Sequence, residues 1–181
     1  SEVTNDWTSL KSGLTAGTRF SFLTFLSNVY ITNGVDTVMY YNGTVIQDLP
    51  AVSKVAYLAS DKGVIYGAGL STDPSMLLYT NAGDELTGGD FANTQLVDPT
   101  GNGTIKSLHI FNGLPVVGTN RGVYIVDVFQ TNVDITVADF AGDVSSNSSV
   151  VNVENDQFFM STSGVYALSQ RQGTTGSYRA T

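Results

Sequence analysis

FNGLPVVGTNRGVYIVD (111–127) and ENDQFFMSTSGVYALS (154–169) carry one pattern twice. They align without a gap, so that Val116, Val117, Gly122, Val123 and Tyr124 fall on Phe158, Phe159, Gly164, Val165 and Tyr166. In each, an apolar run meets a second one across a turn containing Gly or Asn. LSNVYITNGVDTVMYYNG (26–43) and SDKGVIYGAGLSTDPSMLLYTNAG (60–83) repeat the arrangement more loosely. The matching second strands recur roughly every 40–46 residues, the period of four-stranded propeller blades. The sequence therefore predicts an all-β chain, a β-propeller or propeller sector of about four four-stranded antiparallel blades.

Runs of β-branched and aromatic residues bounded by Gly, Asn, Asp or Pro place the strands. The first blade takes 19–26, 28–32, 37–41 and 44–48, and the second 52–59, 64–68, 75–80 and 93–97. The third takes 104–111, 114–119, 122–127 and 133–138. The fourth takes 149–152, 157–161, 164–169 and 176–179, the last with the weakest signal. Asn42-Gly43 is the dipeptide favoured by a type I′ turn, where both residues need positive φ. Runs such as VVG and FFM are apolar on both faces, as expected of sheets covered on both sides. A two-layer sandwich, the competing architecture, would alternate more cleanly. The resulting organisation is a blade over 20–50, a blade with long loops over 51–98, and blades over 99–140 and 141–181. Residues 1–19, with Trp7, Leu10 and Leu14, read as the outer strand of a preceding blade.

Composition agrees. Of the 181 residues 41% are apolar, enough for a core, and only 13% are charged, with 19 glycines and four prolines suited to many tight turns. There is no cysteine, which excludes disulfides, thiolate metal sites and Cys nucleophiles. The net charge of −8 and eight scattered basic residues argue against tight binding to a phosphate backbone. No apolar run approaches the roughly 18 residues a membrane-spanning helix needs.

The phrases at 7–43, 73–84 and 98–127 resemble the β-propeller domains of tailed-bacteriophage tail proteins of nozzle, hub or tail-tip type. The residues that carry the resemblance are Asn33-Gly34 with Asp36, Asp73-Pro74-Ser75 leading to Leu78-Tyr79, and Phe111-Asn112-Gly113 with Gly122-Val123-Tyr124. Two positions depart from the pattern: Met76 stands where a basic residue is usual, and Phe91 is the nearest aromatic to a usual tryptophan. The resemblance implies a non-enzymatic virion component, made in the host cytoplasm and located in the tail. It would contact other tail proteins and copies of itself, and would use no cofactor. A receptor- or glycan-binding propeller and a propeller glycosidase are the alternatives.

Chemistry-bearing residues each have a plain structural reading. His109 is the sole histidine, in IKSLHIF, with no GxSxG elbow to supply a nucleophile; it reads as a strand histidine with a satisfied hydrogen bond. Asp98 to Thr104 crowds oxygen ligands and glycines but lacks the spacing of an EF-hand, so it reads as a connecting turn. Asp36, Asp73, Asp127 and Asp134 are the acids available for glycoside hydrolysis, and no motif singles out a pair. Asn42, Asn102 and Asn147 open glycosylation sequons that read as turns. The second blade's excursion over 81–93, longer than its repeat neighbours, is the candidate interaction loop, with Asn81, Asp84, Glu85, Asp90 and Phe91.

Overall fold

The computed structural model describes residues 7–138, 142–170 and 178–180, the side chains of 170 and 178–180 excepted. Within them lie sixteen strands in four four-stranded antiparallel sheets, each sheet a meander in chain order. The first sheet holds β1 (Ser21–Phe25), β2 (Asn28–Thr32), β3 (Met39–Tyr41) and β4 (Ile46–Asp48). The second holds β5 (Tyr57–Asp61), β6 (Val64–Ala68), β7 (Met76–Tyr79) and β8 (Asn93–Leu96). The third holds β9 (Ile105–Phe111), β10 (Leu114–Thr119), β11 (Val123–Asp127) and β12 (Asp134–Val137). The fourth holds β13 (Val150–Val153), β14 (Asp156–Ser161), β15 (Gly164–Gln170) and β16 (Tyr178–Ala180). Helix among the described residues amounts to two 3₁₀ turns, Leu86–Gly88 and Asn147–Ser149.

The first hairpin of every sheet turns through two residues. Phe25 pairs with Asn28, Asp61 with Val64, Phe111 with Leu114 and Val153 with Asp156. The first turn residue takes positive φ each time: Leu26, Lys62, Asn112 and Glu154. Because side chains alternate across a strand, this fixed register also fixes which face each residue occupies. Counting from the turn, Tyr30, Tyr66, Val116 and Phe158 are equivalent, and so are Ile31, Gly67, Val117 and Phe159.

Three apolar cores join the four sheets. Tyr30, Phe25 and Val38 of the first pack with Leu58, Ile65 and Leu78 of the second. Tyr66, Ala59 and Leu77 of the second pack with Leu108, Val117 and Tyr124 of the third. Val116, Phe111 and Val123 of the third pack with Phe159, Leu168 and Val150 of the fourth. Each sheet thus presents its Tyr30-type face to the next sheet and its other face to the one before. Among the described residues no core joins the fourth sheet to the first; the contact seen there is polar, Arg19 donating to Ser148.

Several expectations need correcting. Tyr40 is not the register equivalent of Leu78, Tyr124 and Tyr166: its equivalent is Tyr79, opposite Tyr66 as Tyr40 is opposite Tyr30. Met39, opposite Ile31, is the true counterpart, and a slip of one residue exchanges the faces. The strand predicted from residue 52 begins at Tyr57. Val52 and Val55 still enter the core, but from a linker whose backbone bonds locally, Val52 N to Leu49 O (3.0 Å) and Val55 N to Ser53 O (2.9 Å). Asn42-Gly43 does not form a two-residue turn: the loop runs over 42–45, and the Asn42 side chain accepts from the amides of Thr44 and Val45, both at 3.0 Å. Residues 7–20 form no strand, and 1–6 lie outside the described residues. Instead of a strand partner, this segment finds side chains: Lys11 pairs with Asp48 (2.7 Å) and Thr15 with Asp36 (2.6 Å). Trp7 is 98% exposed.

Candidate functional site

The 81–93 excursion leaves β7 and returns as β8. Its base is tied to its own sheet, Gly83 N donating to Gly63 O (2.7 Å). Asn81 donates to Asp84 (2.9 Å) and accepts from Asn93 (3.2 Å), closing the neck of the loop. The middle then turns toward the first sheet. Glu85 Oε2 accepts from Asn28 (3.0 Å), from the Tyr30 hydroxyl (3.2 Å) and from Thr87 (3.3 Å). Burial first, and the Glu85 charge second, push the Tyr30 phenol up to about 12. Leu86 is 1% exposed, inside the core between the first two sheets. Asp90 accepts from the Ser53 amide (2.9 Å) and hydroxyl (2.6 Å), pinning the linker between those sheets. Phe91 packs on the same core, its ring directly over Gly67, where a Cβ would lie 2.5 Å from it.

The five candidate residues are therefore gathered into one loop but not onto one surface. Asn81, Asp84 and Asp90 are exposed, while Glu85 and Phe91 point into the molecule as staples. Polarity and glycine content made the loop legible as an excursion, but not the direction it folds. On its outer side Asp84, Thr87, Gly89 and Ala92 border an open cleft of about 430 Å³. A second cleft of about 340 Å³ lies across residues 86–89, against Tyr40, Gln47 and Pro50.

The remaining polar residues hold backbone. Asp98 accepts from the Thr100 amide and hydroxyl, both 2.9 Å, and the amide bond leads in holding its carboxyl below the usual range. It forms the connecting turn into β9. His109 lies on β9 with Nε2 3.0 Å from the Asn147 carbonyl, and burial lowers its pKa. Asp36 accepts from Thr15 and from Asn33 (2.8 Å), and those hydrogen bonds, the Thr15 hydroxyl first, lower its pKa. Asp73 is exposed, with its carbonyl accepting from the Met76 amide (3.1 Å). Of the four acids considered for hydrolysis, only Asp127 and Asp134 meet, as cross-strand partners. Asp127 is engaged by the Phe129 amide (3.0 Å) and Gln130 (2.8 Å), as a turn cap would be. Among the described residues no three His, Cys, Asp or Glu side chains come together to hold a metal.

Sequence reasoning missed the pairing of tyrosines across neighbouring strands. Tyr30 and Tyr40 lie with ring centroids 6.2 Å apart, and Tyr66 and Tyr79 6.4 Å apart. Tyr30 ends on Glu85 of the next sheet. Tyr66 is fully buried and its hydroxyl meets no hydrogen-bond partner among the described residues; burial, then the charges of Asp61 and Asp127, push its pKa up. The signal was the NVYIT and GVIYGA alignment, which gives both sheets a tyrosine at one position.

No family model matches the chain, and neither does any curated protein. Among solved structures it is similar to Raptor from Chaetomium thermophilum, with a TM-score of 0.60 at 10% identity over 91% of this chain. The match spans 16% of the Raptor chain. It is similar also to the computationally designed Ika4 protein, with a TM-score of 0.58 at 13% identity, over 90% of this chain and 98% of that one. At these identities the likeness is one of fold. Neither name speaks of a bacteriophage tail.

Proposed function

We propose that the four sheets are blades of a β-propeller or propeller sector, and that the chain is a non-enzymatic structural component of a phage virion. Its place is the tail, in a nozzle, hub or tail tip, where it mediates assembly with other tail proteins and with copies of itself. The observation that supports this best is the repetition of one stacking geometry, Tyr30-type face on next sheet, through all three cores. Polar side chains that could have served chemistry hold turns and linkers instead, as Asp90 does for Ser53 and Asp98 for Thr100. The phrases resembling phage tail propellers supply the setting. The reading involves no cofactor and no tight nucleic-acid binding. The alternative is a propeller that binds a receptor or glycan, favoured by the open, mostly polar cleft beside Asp84 and Thr87.

Gold-labelled antibody against the chain, applied to particles of the phage that encodes it, tests the assignment. Label on the tail is the expected result. A chain absent from purified particles would overturn it.

A further inference from the structure

Among the described residues the fourth sheet carries an apolar face on which no core is built. Val165 is 67% exposed, whereas Leu77 and Val123, which hold the same place in the second and third sheets, are 0% and 2% exposed. The equivalence follows from register: Val165 is opposite Met160, as Leu77 is opposite Ala68 and Val123 opposite Gly118. Val153 is likewise exposed, while its counterparts Phe25 and Phe111 are core residues. Phe158, the Tyr30 counterpart, lies between them on β14. This is the face that each earlier sheet buries against its successor.

The first sheet has the opposite vacancy. Phe22 is 65% exposed at the position of Leu58, Leu108 and Val150, each of which packs against the preceding sheet. Among the described residues there is thus one unmatched forward face and one unmatched backward face. The unmatched backward face is of the kind that covers a forward face three times within the molecule.

We infer that a second copy of this chain is the occupant: the backward face of its first sheet, around Phe22, stacks on the forward face of the fourth, around Val165, so that copies join head to tail. The inference rests on the assembly role proposed above and names the partner in it. Continuity with the internal interfaces carries the argument, since the contact repeats a geometry the sequence already writes three times. A contact between two different faces satisfies both vacancies with one kind of interface, and builds a ring where the rotation closes or a filament where it does not.

The chain has no cysteine, so introduced thiols report without background. Chains carrying only Phe22→Cys, mixed with chains carrying only Val165→Cys and oxidised, should give a disulfide-linked heterodimer as the main product. Sedimentation equilibrium of the unmodified chain should show self-association, and Val165→Asp should weaken it about tenfold or more, because a buried unpaired carboxylate is costly. Circular dichroism establishes that the variant remains folded. A chain that stays monomeric at all concentrations overturns the inference. So does a product made only of Val165→Cys homodimers, which would mean face-to-face pairing. So does a double variant whose disulfide closes within one chain, since the four sheets would then cover each other. A chain located in the tail but monomeric in solution overturns this inference alone; one that self-associates but is missing from particles overturns the virion role alone.

Discussion

The third and fourth sheets carry one pattern and live differently. Both have a Gly-Val-Tyr at the start of the third strand, Gly122-Val123-Tyr124 and Gly164-Val165-Tyr166. Both set that tyrosine opposite an apolar residue of the second strand, Val117 or Phe159. Among the described residues the third sheet has a neighbour on each face and hides Val123, and the fourth has one neighbour and exposes Val165. A repeat therefore specifies which side chains are able to be buried, and the presence of the next sheet decides whether they are. Exposure of a large apolar residue at a position that is core elsewhere in the same chain says more than exposure alone, because single surface apolar residues are ordinary.

The sharpest break of this comparison lies within one strand. Phe159 and Met160 are adjacent on β14, so their side chains leave opposite faces of the sheet. Phe159 is in the core shared with the third sheet, where its ring stacks on Tyr166 at 5.9 Å between centroids; Met160 is half exposed. Phe159→Ala should cost about 3–5 kcal/mol in denaturant unfolding. Met160→Ala, measured on dilute protein, should stay within about 0.5 kcal/mol of the parent. Equal losses would mean that both faces of the fourth sheet are covered within one chain.

A somewhat smaller effect sharpens the contrast between the second sheet's loop and the compact hairpins. Leu86→Ala should cost about 2–5 kcal/mol, because the loop delivers that side chain into the core between the first two sheets. Cutting 81–93 to the length of the equivalent turn in the fourth sheet should therefore destabilise the protein, although the sequence marks the loop only as a site of interaction. A shortened chain with the parent melting temperature would return the loop to the status of a surface excursion.

Much of the architecture was legible because two-residue turns leave little freedom. β2, β6 and β10 have the ends expected from sequence, and the apolar runs between turns found their sheets. What misled was apolar spacing without strand pairing. Val52 and Val55 alternate like a strand yet serve as plugs on a linker, since no sheet edge is there to accept their backbone. Leu10 and Leu14 gave a strand-like signal in a segment held by Lys11–Asp48 and Thr15–Asp36 side-chain bonds. The candidate loop was located by its length, but Glu85 and Phe91 turn inward because Tyr30 offers a buried hydroxyl and Gly67 a bare backbone, neither of which is local in sequence. The doubly apolar FFM was the one sequence feature that pointed past the molecule: it predicts two covered faces, and only one is.

The smallest effect compares the linkers that lead into the third and fourth sheets. Each holds a carboxylate that caps a turn: Asp98 receives the Thr100 amide and hydroxyl, and Asp143 receives the Ser161 hydroxyl (2.8 Å) and the Thr162 hydroxyl (2.8 Å) and amide (3.1 Å). The Asp98 bonds lie within its own linker, whereas Asp143 reaches into the β14–β15 turn and holds the fourth sheet to its linker. Hydrogen bonds, the Thr162 side chain first, lower the pKa of Asp143 in the fold. A carboxylate whose folded pKa is depressed binds fewer protons in the native state than in the unfolded one. Its contribution is therefore complete above the unfolded value, about 3.9, and is lost as pH falls through the folded value. Asp143→Asn should leave the acid limb of the stability curve shallower, and its cost should shrink as pH falls through the folded value, where the parent carboxyl takes up its proton as well. Asp98→Asn should flatten the limb in the same direction, through bonds that stay within its own linker. Hydrogen exchange then separates the two: loss of the Asp143 cap should speed exchange of amides at the β14–β15 turn at neutral pH, while those of the third sheet hold. Unchanged exchange at that turn would show that the fourth sheet needs no such tether, and that its core with the third is sufficient to hold it.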